Sequence, residues 1–342
     1  MTRPAGVSLS ERATEWFYDR GARRDRGGLL GKTVGYASWG AWMTLLLANH
    51  PIGRTSRLRT VGRLWMWQVW RRTARRPIVV TLPGGSRLLC PPESNIAGAW
   101  VAVGLHEYAE MLFVLDFLRP GDLFLDVGAN LGIYTVLAAR HGGRVVAFEP
   151  NGSTRRTLRQ NVHLNAAGER VTIHPFALAD YDGASRMNVE IPGSSHLLEN
   201  GAAAAGDGPT ATVEVRRLDS VLESSAQPGL ALLKVDAEGF DAEVLRGATE
   251  FVRSERPVVL VEIGDGGAEV RRWLAACGYQ VYFYREPAHR LEEVPAEYRG
   301  QGNFIAVHRD RLETVVERLR TGRRPAISPP QVEWRAPAAA AR

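Results

Sequence analysis

Two acidic side chains frame the chemistry open to this chain. Asp126 begins the turn D-V-G-A-N-L-G at residues 126–132, and Glu149 closes the apolar run that follows it. A glycine turn with an acid about 20 residues further on suits a ribose, whose two hydroxyls one carboxylate can accept. A nicotinamide dinucleotide would need, in addition, the G-x-G-x-x-G turn that cradles a pyrophosphate. Here the spacing is G-x-x-x-G, from Gly128 to Gly132 with Asn130 between them. An Asp-bearing turn suits a sulfonium cation better than a phosphate, so the expected cofactor is S-adenosyl-L-methionine. The alternative is a tight turn that binds nothing. Further on, K-V-D-A-E-G brings Lys234, Asp236, Glu238 and Gly239 together. Methyl transfer requires acceptor oxygen, carbon and sulfur in line, and a neutral hydroxyl is helped by a base. Asp236 is the first candidate base, Glu238 the second and His196 the third; orienting the acceptor or offsetting the sulfonium charge is an equal alternative for Asp236.

The elements that must position these groups follow from the apolar pattern. Leu123 to Val127 reads as a strand stopped by glycine, and Ile133 to Ala139 reads as a helix, which puts the turn at a strand's carboxyl end, where open α/β sheets bind ligands. Asp126 is expected to face that opening. Arg144 to Phe148 forms a second strand and Val171 to His174 a third. Phe176 to Asp180 forms another turn, whose Asp180 either bonds an adenine amino group or is an ordinary turn aspartate. Leu230 to Val235 is a buried strand delivering the K-V-D-A-E-G residues. Val213 to Arg216 is an inserted strand, and Asn303 to Val307 pairs antiparallel with Tyr279 to Tyr284. Ile78 to Val80 and Arg87 to Cys90 flank a P-G-G turn and form a hairpin over the cofactor mouth. The glycine-rich stretch from Gly193 to Pro209 is a loop closing over the acceptor, and residues after about Arg320 are disordered.

The series DVGANLGIYT, AFEP, N-V-x-L-N at Asn161 to Asn165, ALAD, R-L-D at Arg217 to Asp219, KVDAEGFDAEVLRGA and VLVEI resembles the FkbM-type methyltransferases over about residues 102 to 285. That resemblance implies an α/β, Rossmann-like class I methyltransferase fold, with a seven-stranded, mostly parallel sheet and an antiparallel last strand. A helical N-terminal extension is added to it here. It implies S-adenosyl-L-methionine as cofactor and a hydroxyl group of a secondary metabolite, sugar or glycolipid as acceptor. By motif position, Glu107, Asp126, Gly128, Asn130, Gly132, Tyr134, Glu149 and Asp180 fall on the cofactor side, and Lys234, Asp236, Glu238 and Gly239 on the catalytic motif. His106 stands where the family has tyrosine, Ala237 where it has valine, and Asp241 where it has glutamate. Transfer to nitrogen, and a membrane-associated scaffold with a vestigial pocket, are the competing functions.

Charge is unevenly spread. Residues 1–76 carry 15 basic and 4 acidic side chains, residues 77–308 carry 20 and 29, and residues 309–342 carry 8 and 4. An acidic core argues against a nucleic acid partner, which needs a basic track beside the site. Only two lysines occur, Lys32 and Lys234, so the retained ammonium at Lys234 points either to a specific role or to an ion pair with Glu262 or Asp236. No zinc-type spacing is present and no metal is expected, although Asp236, Glu238 and Glu262 could hold Mg²⁺. Cys90 and Cys277 give no disulfide framework and fit a reducing cytoplasm. Six of nine tryptophans lie in the first 76 residues, interleaved with arginine. These helices either pack on the core or across a dimer, or dock on the inner face of a membrane through residues 36–76. The expected organisation is a basic Trp/Arg-rich extension over 1–76, a hairpin and helix over 77–120, the cofactor-binding domain over 121–308, and a helix with a basic tail over 309–342.

Overall fold

The strands read at 123–127, 144–148, 171–174, 230–235, 279–284 and 303–307 assemble into one sheet whose order places the glycine turn near its centre, while the hairpin and the inserted strand at 213–216 belong to two smaller sheets. A computed structural model describes residues 40–94, 96–189, 209–222, 231–263, 267–298, 300–322 and 324–335. His196 and nearly all of the expected acceptor loop lie outside them. In chain order, a helix over 40–49 is followed by α1 (Arg57–Thr73), β1 (Ile78–Thr81), β2 (Arg87–Cys90), α2 (Ala97–Val103), α3 (Tyr108–Phe117), β3 (Leu123–Val127), α4 (Ile133–Arg140), β4 (Arg144–Phe148), α5 (Gly152–Leu164), β5 (Val171–His174), β6 (Ala177–Leu178), β7 (Gly183–Asn188) and β8 (Thr210–Arg216). Then come β9 (Leu232–Val235), α6 (Asp241–Arg246), α7 (Thr249–Glu255), β10 (Val258–Ile263), α8 (Gly267–Ala276), β11 (Tyr279–Arg285), β12 (Arg290–Glu293), β13 (Gly302–His308), α9 (Leu312–Thr321) and β14 (Gln331–Glu333).

The main sheet runs β12-β11-β13-β10-β9-β3-β4-β5. Strands β5, β4, β3, β9 and β10 are parallel, and β13 is antiparallel to both β10 and β11. This is the Rossmann-like class I order, and it corrects the expected count from seven strands to eight. The extra strand, β12, is a charged hairpin return with the sequence R-L-E-E. Charge of that kind is what blunts an open sheet edge, and it hides the strand from an apolar search. The chain builds outward from β3 to β5 and then returns to β9 on the other side, so the crevice between β3 and β9 is the topological switch point.

Strand parity sets the two cores. Phe124, Leu232, Val258 and Leu260 pack into one buried cluster with α3, α4 and α5. Leu123, Leu125, Leu233, Val235, Val259 and Val261 pack into another beneath α7 and α8. Alternate residues go to opposite faces, and a sheet covered on both faces needs the near-continuous apolar runs seen in the sequence.

Two expectations fail outside the sheet. The β1–β2 hairpin forms, but it covers helices and not the cofactor mouth. Asn161 on α5 and Asn165 at its C-terminal cap hold its edge: the Leu89 amide donates to Asn161 Oδ1 at 2.6 Å and the Arg87 amide to Asn165 Oδ1 at 2.8 Å. The tail is also ordered through 324–335, where β14 pairs antiparallel with β1. Val332 and Trp334 turn inward between exposed Gln331 and Glu333, a two-residue period that compositional bias concealed.

The tail also answers a charge. Helix α3 is buried along Met111 to Phe117, including Asp116. An isolated buried carboxylate is costly unless paired. The Tyr284 hydroxyl donates to its Oδ2 at 2.5 Å, Arg324 donates at 3.1 Å, and His289 Nδ1 lies 3.3 Å away. Arg324→Ala is expected to lower stability by about 3 kcal/mol, since it strips the guanidinium from a buried charge; a urea unfolding midpoint unchanged from wild type would contradict this.

Candidate functional site

The turn after β3 is shaped by what approaches it. Gly128 has φ 73°, and a Cβ there would lie 1.9 Å from the Asp236 carbonyl oxygen, so only glycine lets the ends of β3 and β9 meet this closely. Asn130 also adopts a left-handed conformation, φ 53°, which asparagine tolerates better than most residues. Its amide donates to Glu149 Oε2 at 2.9 Å, and the Asn151 amide donates to Glu149 Oε1 at 2.8 Å. Glu149 is thereby fixed as an acceptor at the end of β4. Burial pushes its carboxyl up to about 7 against the pull of those two amides. Gly128→Ala is expected to combine a clash with left-handed strain, costing about 1–3 kcal/mol and the shape of the turn; near-wild-type cofactor affinity in a folded variant would refute that role.

Behind the turn lies a row of charge on one sheet face. Asp126 sits opposite Lys234 in the β3–β9 register. Its parity turns it towards α4, so it is fully buried and does not face the opening as expected. Asp126 Oδ2 accepts from Thr135 Oγ1 at 2.6 Å, and Oδ1 lies 3.8 Å from Lys234 Nζ. Burial raises the Asp126 carboxyl above its ordinary range, with Lys234 opposing. Lys234 donates to Asp236 Oδ2 at 2.9 Å and lies 5.0 Å from the centre of the Tyr134 ring. Burial disfavours its charge, but Asp236 and Asp126 outweigh burial and raise its pKa above the ordinary lysine value. Asp236 is likewise opposed by burial, yet Lys234 holds its carboxyl below the usual range. The ion pair weighed in the sequence therefore exists, with Asp236 as partner.

Glu107 closes the next side. It accepts from Tyr134 Oη at 2.7 Å and from Asn303 Nδ2 at 3.3 Å, tying α4 to β13. His106 Nδ1 accepts from Trp100 Nε1 at 3.2 Å, and burial lowers the pKa of the imidazole.

In front of this row opens a cleft. Gly128, Asn130, Glu149, Asp236 and Glu238 line it, with Val127, Phe148, Ala177, Leu178 and Met187 as an apolar wall. Glu238 has φ 50°, a strained conformation at the cleft edge. Its residue is exposed at the cleft mouth, yet desolvation of the carboxyl by the protein around it, with repulsion from Asp236 and Asp241, raises it to about 7. The Asp241 carboxylate takes the Ala237 amide at 2.9 Å and so fixes this turn. Asp126, Lys234, Tyr134 and Glu107 support the cleft from behind. Asp180 is not part of its lining: Arg246 holds its carboxylate at 2.9 Å. Sequence reasoning missed Thr154, which lines the cleft with a buried hydroxyl that has no hydrogen-bond partner among the described residues. Its place in the first turn of α5, just beyond the Asn151 cap, gave the sequence no signal that could have found it. Among the described residues no group of three His, Cys, Asp or Glu could hold a metal ion.

A match to the methyltransferase FkbM domain covers residues 126–281. The chain is 29% identical over 211 residues to the hexuronic acid methyltransferase AglP of Haloferax volcanii, spanning 61% of this chain and 84% of that one. It is 29% identical over 209 residues to the 31-O-demethyl-FK506 methyltransferase FkbM of Streptomyces tacrolimicus, covering 52% and 80%. A solved FkbM methyltransferase from Methylobacillus flagellatus aligns with 13% identity and a TM-score of 0.38, over 72% of this chain and 59% of that one.

Proposed function

The chain is an FkbM-type methyltransferase through its domain at residues 126–281, and from that premise we propose that it moves a methyl group from S-adenosyl-L-methionine to a hydroxyl oxygen of a sugar, glycolipid or natural-product scaffold. The observation that carries this reading is the placement of Glu149 and Thr154 on one wall of a cleft whose other wall holds Asp236 and Glu238. The residues fit the cofactor. Glu149 is an acceptor-only carboxylate matched to two ribose hydroxyls, Thr154 has an unspent hydroxyl, and Gly128 leaves the backbone bare. The apolar wall from Phe148 to Leu178 suits an adenine ring. When bound, the cofactor supplies an electrophilic methyl on a sulfonium.

The chain's own groups supply alignment and proton removal. Asp236 stays ionised beside Lys234, so it accepts a hydrogen bond from the acceptor hydroxyl and sets its direction; the same pairing makes it a weak base. Glu238, with its carboxyl near neutrality, is better matched to take the proton, because a general base works best with a pKa close to the operating pH. On this reading Glu238 comes before Asp236 as the base, where the sequence put Asp236 first. Lys234 acts through Asp236 and is a positioning residue. The two relatives act by name on a hexuronic acid and on 31-O-demethyl-FK506, and the second name specifies an oxygen acceptor. The test is formation of S-adenosylhomocysteine with a panel of uronic acids, glycolipids and hydroxylated macrolides, against the same compounds with hydroxyls blocked and against amines. Turnover that needs a free hydroxyl is expected; turnover on amines alone would overturn the assignment to oxygen.

A further inference from the structure

Helix α1 has two apolar faces, and only one is used by the core. Leu64 and Trp67 are buried on the inner face, with Gly98 of α2 packed against both side chains. On the outer face Leu58 is 90% exposed, Val69 60%, Trp65 49% and Met66 48%. Positions 58, 65 and 69 fall on one stripe of a 3.6-residue helix. Leu45, from the preceding helix, is 64% exposed as well. A contiguous exposed apolar patch of large side chains marks a contact surface.

Its surroundings select the partner. Arg57, Arg59 and Arg72 on α1, and Arg54, Arg75 and Arg76 at its ends, are all exposed. No acidic residue occurs between positions 26 and 92. A second copy of the chain meeting this face across a two-fold axis would set the same arginines against themselves. An anionic surface would be attracted by them, and one with an apolar interior would also receive Leu58, Trp65, Met66 and Val69. We propose that the outer face of α1 docks the protein on an anionic lipid bilayer, lying in the headgroup plane with its tryptophan and aliphatic stripe inserted and its arginines on lipid phosphates. Docking is peripheral: no described helix is long and apolar enough to cross a membrane.

The test is sedimentation of the full chain with phosphatidylcholine vesicles, with and without phosphatidylglycerol. Binding is expected to be at least about tenfold stronger on anionic vesicles, and to weaken as salt screens the arginines. Leu58→Ser with Val69→Ser should lose most of this binding while keeping the wild-type melting temperature, because both side chains are largely exposed. Four results would overturn the proposal: no preference for anionic vesicles, undiminished vesicle binding by the double variant, a marked fall in its melting temperature, which would show the face covered within the chain, or a wild-type dimer that the variant dissociates. Salt-sensitive binding to a duplex oligonucleotide without vesicle binding would assign the arginines to nucleic acid instead.

Discussion

Replacing Glu149 by alanine is expected to weaken S-adenosyl-L-methionine binding by about 100- to 1,000-fold. Hydrogen bonds to an ionised acceptor contribute about 1.5–3 kcal/mol each, and two ribose hydroxyls would be lost together. Part of that loss returns, because water entering the open cleft can reach the freed Asn130 and Asn151 amides. Stability of the unliganded protein should change little, since burial already disfavours the Glu149 charge. The sign with pH follows from the same group. The ionised carboxylate accepts the ribose hydroxyls, so affinity should rise with pH up to about 7 and level off above it. One pH unit below that midpoint the loss should approach tenfold. Calorimetric titrations of wild type and Glu149→Ala across this range check both statements; pH-independent affinity in the wild type would remove Glu149 from the ribose.

Glu238→Gln is expected to lower kcat by about 10²- to 10⁴-fold, the usual worth of a general base, with cofactor affinity within about threefold of wild type. At saturating cofactor, where Glu149 no longer titrates, wild-type kcat should climb as Glu238 loses its proton and flatten above about 7. The glutamine variant should show no such limb. Asp236→Asn should raise the acceptor KM as well as lower kcat, because it removes the group that directs the hydroxyl and leaves Lys234 without its closest partner. If Glu238→Gln kept full activity while Asp236→Asn lost it with a flat pH profile, the proton would pass to Asp236 or to water.

What the sequence disclosed, and what it hid, divide along physical lines. Buried parallel strands must be apolar on both faces, so β3, β4 and β9 were legible as runs, and the glycine turn announced the ligand edge. Direction within a strand was harder to read. Asp126 lies one parity step from Leu125 and Val127, and that step decides between facing the cleft and facing α4. Edge and tail strands were hidden by composition: β12 is charged because it is an edge, and β14 lies in a proline- and arginine-rich tail that Asp116 and the β1 edge nevertheless retain. Thr154 was hidden for a different reason. A threonine in the first turn of a helix is commonplace, and only its unpartnered hydroxyl on the cleft wall singles it out. The Trp/Arg region was read as a choice between packing on the core or across a dimer and docking on a membrane; in the described part the inner face of α1 packs on the core and its outer face is exposed.

We propose that the cleft between β3, β4 and β9 is built for S-adenosyl-L-methionine. Its most direct test is a calorimetric titration of the wild-type protein at a pH above 8 with S-adenosyl-L-methionine, and in parallel with a nicotinamide dinucleotide. One-to-one micromolar binding of the first and none of the second is predicted, because Glu149 suits either ribose but the Gly128–Gly132 turn lacks a pyrophosphate cradle. Saturable binding of the dinucleotide, with S-adenosyl-L-methionine silent, would contradict the account.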